Sequence, residues 1–325
     1  METQSLHPLE IFFTQNSTLE LLQYQWLDLG GILRTIILTK EYALSLTNSP
    51  LKTSPVTLAL LPQGDYEPGF TGIGSDELWP DWTSLRVCSY LGDRMAYASV
   101  MCFISETGKA FQPRTRCPRS ILKRALEDAS HIDQLQFKVG FEIEFFFFEI
   151  KDDGTISTPL NSIGGWSSGI ASTHPLAFTV LDEIMQCLAK INIKALKFHA
   201  ESGKGQYEIA LGPSSVMEAI DTLIFAKEAV RIIALKHGLR ATMFPTPSEG
   251  SNFNGAHVHL SIDDPSQKKS DCFLAGVLER LSEMCAFSMP NYDSYERVGD
   301  FKGTIGTAVA CKLGKKALSC FHDFL

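Results

Sequence analysis

The stretch Val139 to Ile150, VGFEIEFFFFEI, constrains this chain more than any other, because it places two carboxylates where a fold normally places hydrocarbon. Read with the period of two of a β-strand, Glu142 and Glu144 share one face while Phe141, Ile143 and Phe145 share the other. Carboxylates packed among phenylalanines are costly unless their pKa shifts or a cation partners them, and a divalent ion is the simplest partner. A lone Glu-x-Glu is also the pattern of an edge strand with one wet face.

Two further stretches bear on that choice. In His199 to Ile209, HAESGKGQYEI, Glu201 precedes a Gly-Lys-Gly turn and a short strand on which Gln206 and Glu208 share a face. His257 to Ile262, HVHLSI, puts His257, His259 and Ser261 on one face of a strand, with Val258, Leu260 and Ile262 on the other. Antiparallel strands laid side by side bring Glu142, Glu144, Glu201, Glu208 and His257 into one cluster. Oxygen donors with a single imidazole suit Mg²⁺ or Mn²⁺ better than zinc. Four carboxylates exceed the charge of one divalent ion, so more than one metal is expected, as in sites that handle phosphoryl groups.

These stretches resemble the motifs of the glutamine synthetase family, type I-like members and γ-glutamyl amide or polyamine ligases included. GFEIEFF resembles the motif that opens the catalytic domain, AESGKGQYEI the "E, turn, GQ, x, E" motif, and FNGAHVHLS the "G, small, H, V, H, x, S" motif. SDELWPD (Ser75 to Asp81) and CPRSILKRA resemble further family segments, and the likeness extends from about Tyr24 to about Thr307. The resemblance implies an α+β fold. A small N-terminal β-grasp domain, residues 1–113, precedes a catalytic domain, residues 114–325, with an antiparallel sheet flanked by helices.

The resemblance also assigns roles. It makes Glu144, Glu201 and Glu208 ligands of a first metal site and Glu142 and His257 ligands of a second. His259 and Ser261 match nucleotide-binding positions. Asn252 and Gly255, in the SNFNG loop, match the segment that contacts the amino acid substrate, with Phe253 standing where a glycine is common. Arg297, in NYDSYERV, matches an arginine that binds the substrate carboxylate, and Asp76 an acidic residue near the ammonium site. The implied reaction is ATP-dependent formation of a glutamate γ-amide through a γ-glutamyl phosphate, with ammonia or a larger amine as acceptor, in a homo-oligomer.

After Gly303-Thr304 the resemblance fades: Cys311-Lys312 stand near an expected Trp-Gly, Asp300 near an expected flap glutamate, and KLGKKALSCFHDFL offers neither an Asn-Arg pair nor a final metal glutamate. The expectation is a truncated or altered family member with little synthetase activity, retaining metal or subunit binding.

Elsewhere the chain reads as two modest cores. With 325 residues, 44% hydrophobic and 20% charged, there is material for two domains. A net charge of −8 argues against nucleic acid or an anionic membrane as main partner. Eight cysteines without a CxxC pair, and no apolar run near the length of a membrane span, imply reduced thiols and a cytoplasmic location. Tyr24 to Leu38 reads as a hairpin around Gly30-Gly31, Pro50 to Pro68 as irregular, and Met95 to Ser105 as a long strand. Three helices are expected: one opened by Pro118 with Ile121, Leu122, Ala125, Leu126 and Ala129 inward; one over Thr179 to Ile191; and one from Ser215 to His237, opened by a Ser215/Glu218 capping box and closed by Gly238. No GxGxxG follows a strand, which speaks against a doubly wound dinucleotide fold.

Overall fold

A computed structural model describes residues 6–61, 64–68, 72–91, 96–107, 116–132, 134–157, 166–247, 252–264, 267–289 and 292–299. The chain divides into two compact units, Met1–Gln134 and Leu135–Leu325.

The first unit contains α1 (Pro8–Gln15), β1 (Leu19–Leu27), β2 (Leu33–Thr39), α2 (Lys40–Ser45), β3 (Leu51–Thr53), β4 (Asp76–Pro80), β5 (Arg86–Val87), β6 (Ala96–Glu106) and α3 (Pro118–His131). Its sheet runs β2-β1-β6-β4-β3, with β5 on β6. The hairpin forms as expected: β1 and β2 pair antiparallel, with Gly31 at φ +74° in the turn. The Asp28 carboxylate closes that turn, accepting from Gly30 N and Ile32 N and pairing with Arg34. β1 lies parallel to β6, so the sheet is mixed. Alternation sends Leu22, Tyr24 and Trp26 of β1, and Ala98, Val100, Cys102 and Ile104 of β6, into one core. Leu9 and Phe13 of α1 join it.

Helix α1 arises in a segment whose mixed composition gives no periodic signal, and its start is set by capping. His7 is the N-cap, Pro8 opens the helix, and Glu10 completes a capping box. The stretch after Pro50 is less irregular than its prolines suggest, since β3 pairs with β4. Helix α3 starts at Pro118 as expected, but its apolar stripe is not buried: Ile121 and Ala125 are exposed, and Ser120 is its buried residue. The compact units part at Gln134/Leu135, leaving α3 in the first unit, whereas the sequence places the domain boundary at 113/114.

The second unit contains β7 (Phe137–Ile150), β8 (Ile156–Ser157), α4 (Pro175–Lys190), β9 (Ala195–Ala200), β10 (Gln206–Leu211), β11 (Ser214–Ser215), α5 (Val216–Lys236), β12 (Arg240–Thr242), β13 (Ala256–Ile262), α6 (Lys268–Glu279), α7 (Leu281–Ser288) and α8 (Tyr292–Gly299). β7 is the spine. β10 and β11 pair with one edge, β13 and β12 with the other, and β9 extends the sheet beyond β10, every pairing antiparallel. Phe141, Ile143, Phe145 and Phe147 are buried on the face away from the carboxylates. Leu181, Ile184 and Leu188 of α4 and Ala226, Val230 and Ile233 of α5 are fully or almost fully buried. The Ser215/Glu218 capping box does not form: Ser215 makes no side-chain cap bond, and its backbone instead continues β11, opposite Lys138. Gly238, at φ +75°, ends α5 as expected.

Candidate metal and substrate site

Register builds the site. Glu208 on β10 stands directly opposite Glu144 on β7, and His199 on β9 stands opposite Glu208. One step along, His257 on β13 opposes Glu142, which in turn opposes Ala210, and Ala210 opposes Lys197. Directly opposed residues share a face, so two rows of side chains, one crossing β9, β10 and β7 and the other reaching β13 as well, lie on the same side of the sheet.

Distances tie the rows together. His257 Nδ1 lies 3.1 Å from Glu142 Oε2 and 4.0 Å from Glu208 Oε2, while its Nε2 lies 3.8 Å from Glu144 Oε1. His199 joins Glu208 (3.2 Å) to Glu201 (3.5 Å). The five expected metal-site residues therefore fall in one cluster. Two triads bring their ligand atoms within 4.8 Å of one another: Glu142, Glu208 and His257, and His199, Glu201 and Glu208. Glu208 belongs to both.

The triads differ in one member from the sets the resemblance implies, because His199 takes the place beside Glu201 and Glu208 given to Glu144. Glu144 is engaged elsewhere. Its Oε2 accepts from Gly255 N at 2.8 Å and from Gln206 Nε2 at 3.1 Å. Burial pushes the Glu144 carboxyl up to about 7, with the charges of Glu201 and Glu208 adding to the shift. Hydrogen bonds from His257 and His259 hold Glu142 well below the usual carboxylate range. The same bond to Glu142 raises His259, whose Nε2 is 3.2 Å away.

The donor set fits a divalent cation. It is oxygen and imidazole without thiolate, which suits Mg²⁺ or Mn²⁺. Glu208 is only 4% exposed, and its buried Oε1 is approached by His199 Nε2 at 3.2 Å and by Lys197 Nζ at 3.3 Å. A buried carboxylate oxygen that gathers such neighbours is one that a divalent cation would also satisfy.

The remaining expected residues fall in several places. Ser261 is exposed on β13, opposite Lys138. Gly255 offers its amide to Glu144, and Asn252 is half-buried in the segment before β13. Phe253 contributes its carbonyl to Gln206 Nε2 at 2.7 Å. Asp76 opens β4 in the first unit and is buried there. Arg297 lies in α8, its side chain outside the described residues, and the tail after Gly299, with Asp300 and Cys311-Lys312, lies outside them too.

Several residues of the site carry no assignment from the sequence. Lys197 places Nζ 3.3 Å from Glu208 Oε1 and 3.5 Å from Glu142 Oε1. Partial burial opposes its charge, but Glu208 and Glu142 outweigh that and raise its pKa. Lys197 and His199 precede the assigned Glu201 at i, i+2, i+4, the signal that would have found both. Gln206, 1% exposed, clamps the loop before β13: Nε2 donates to Glu144, Phe253 O and Asn254 Oδ1, and Oε1 accepts from Gly203 N. Asn254 completes the clamp by donating to the carbonyls of Thr242 and Phe244. Trp166, two-thirds exposed, stands edge-on to the His199 ring at 5.7 Å between centroids.

Fold and site define a mixed α/β protein whose larger sheet turns an acidic, imidazole-bearing face of the kind that holds divalent cations. The chain belongs to the glutamine synthetase family: the family model described as "Glutamine synthetase, catalytic domain" matches residues 115–316. It is 33% identical over 241 residues to protein fluG of Emericella nidulans, covering 73% of this chain and 27% of that protein. It is 25% identical to type-1 glutamine synthetase 1 of Dictyostelium discoideum, covering 92% of this chain and 65% of that one. The solved structure of a GmaS/ADP complex superposes with a TM-score of 0.76 at 22% identity, over 91% of this chain and 68% of that one. This chain thus spans less than two-thirds of the length of the fluG protein and of the Dictyostelium enzyme. Among the described residues, no helix is long and apolar enough to cross a membrane.

Proposed function

We propose that this chain is an ATP-dependent ligase of the glutamine synthetase type, of low activity, joining ammonia to the γ-carboxylate of glutamate through a γ-glutamyl phosphate. The observation that carries the reading is the pair of donor triads sharing Glu208 on one face of the sheet. Phosphoryl transfer depends chiefly on positioning and on stabilising charge over the transferring oxygens. Glu142, Glu208 and His257 would hold one Mg²⁺ or Mn²⁺, and His199, Glu201 and Glu208 a second. When bound, these ions supply the positive charge that phosphoryl oxygens need in transfer.

The chain's own residues do the rest in this reading. Glu144 and Gln206 fix the loop carrying Asn252 and Gly255, which lines the amino acid. Arg297 takes the substrate carboxylate in a bidentate pair. His259 and Ser261 face the nucleotide, in keeping with the ADP complex formed by the structural neighbour GmaS. Asp76 belongs to the ammonium side. The first unit acts as a β-grasp domain that completes a neighbouring subunit's site in a cytoplasmic homo-oligomer.

The test is phosphate release from ATP with glutamate and ammonia, in Mg²⁺ or Mn²⁺, compared between the wild-type chain and Glu208→Ala. Release that needs both substrates and is lost in Glu208→Ala supports the reading. ATP hydrolysis indifferent to glutamate and ammonia overturns it.

A further inference from the structure

The row through Glu142 has an unusual neighbour. Across the strands it reads Lys197, Ala210, Glu142, His257. Neighbouring strands lie about 4.8 Å apart, so Lys197 and Glu142 are separated by two such spacings with only the methyl of Ala210 between them. That small side chain leaves a trough. The lysine stem crosses it and sets its ammonium 3.3 Å from Glu208 Oε1 and 3.5 Å from Glu142 Oε1. His199 Nε2 is a further 3.5 Å neighbour of Nζ. One ammonium therefore touches two members of each triad: the carboxylates of Glu142 and Glu208 in one, and Glu208 with the His199 ring in the other.

We propose that Lys197 is a tethered counter-ion standing in the place of one divalent cation between Glu142 and Glu208, so that metal enters that triad only by displacing it. The proposal rests on the reading that this face binds divalent metal. Lys197 meets the Oε1 atoms of Glu142 and Glu208 while His257 faces their Oε2 atoms, so an ammonium and a divalent ion held by the same two carboxylates would stand close enough to repel each other strongly. Displacement is feasible: Lys197 lies on the outer strand of the β11-β7-β10-β9 order, its side chain is about half exposed, and its flexible stem can carry the charge into water. The result is an unequal pair of sites. The His199, Glu201, Glu208 triad, which gives the ammonium one carboxylate and the edge of an imidazole where the other triad gives it two carboxylates, fills first. The other fills at higher metal concentration, once the ammonium has swung away. The lysine meanwhile relieves carboxylate repulsion in the metal-free protein.

The experiment is a Mn²⁺ titration of the full chain, followed by calorimetry and by the electron paramagnetic resonance of free Mn²⁺. Wild type is compared with Lys197→Met, Lys197→Gln and Lys197→Arg. Removing the charge in Met or Gln is expected to tighten the weaker site by about tenfold, roughly what one screened unit charge at this separation contributes. Arg keeps the charge and is expected to stay within about threefold of wild type. In chelator, Met and Gln melt below wild type, and saturating Mn²⁺ closes the gap. Equal or weaker Mn²⁺ binding in both Met and Gln, with wild-type binding intact, overturns the role of Lys197 and leaves the metal reading standing. Failure of every chain to bind Mn²⁺ overturns both.

Discussion

Replacing Gln206 by leucine tests how the acidic face and the loop before β13 are held together. The side chain is buried, and its loss removes four hydrogen bonds: to Glu144, to Phe253 O, to Asn254 Oδ1, and from Gly203 N. Glu144 Oε2 keeps its bond from Gly255 N, so it suffers least. The other three groups lose a partner in a place that water reaches poorly. At about 1 kcal/mol for each bond, partly offset by burying the apolar leucine, the net cost is about 3 kcal/mol. For a urea dependence of about 1–3 kcal/mol per molar, the unfolding midpoint of the second unit should fall by at least about 1 M. Trp166 is the only tryptophan after residue 134, so its fluorescence, measured in a chain whose Trp26, Trp79 and Trp82 are replaced by phenylalanine, follows that unit. A Gln206→Glu variant keeps an acceptor for Gly203 but sets a carboxylate beside Glu144, and should lose further stability as pH rises. A midpoint for Gln206→Leu within about 0.3 M of wild type would refute the claim that Gln206 clamps the loop.

Three other outcomes follow from the same geometry. Since Glu208 belongs to both triads, Glu208→Ala should abolish Mn²⁺ binding at both, whereas Glu142→Ala should remove one site and spare the other; calorimetric stoichiometry distinguishes these. The Glu144 carboxyl is raised from 4.5 to about 7, so in chelator its contribution to stability is full below about 4.5 and is lost as pH rises through about 7. Glu144→Gln should flatten that slope in thermal melts taken across the range. Lys227 lines a cavity of about 30 Å³ with Phe141, Ile143, Leu223, Met243 and Val258, and burial lowers it from 10.5 to about 8. Its folded form therefore holds its proton less firmly than the unfolded chain, stability rises as pH climbs from about 8 toward 10.5, and Lys227→Met should remove that rise.

The sequence exposed those parts of the site that obey a local period. Glu142 with Glu144, Gln206 with Glu208 and His257 with His259 could each be placed on a strand face, because side chains alternate and the flanking residues are apolar. Local capping was less reliable. A His7/Glu10 capping box opens α1, where no helix was expected, while the Ser215/Glu218 pattern yields no capping bond because Ser215 is held in β11. Likewise, the apolar spacing in α3 promised an inward stripe, yet Ile121 is 46% exposed. A period states which residues share a face, and packing decides whether anything covers that face.

What no local period contains is register, and register is what turns three strands into a site. Glu144 meets Glu208 across 64 residues and Glu142 meets His257 across 115, and sliding either partner by one residue would turn its ligands to the phenylalanine side. The same pairing decides how Lys197 behaves. In sequence it is one lysine between Leu196 and Phe198, but opposite Ala210 it has an open path to Glu142 and Glu208. A bulky residue at 210 would block that path without touching any ligand. The identity of one small buried residue on β10 thus decides whether the acidic face carries its own cation.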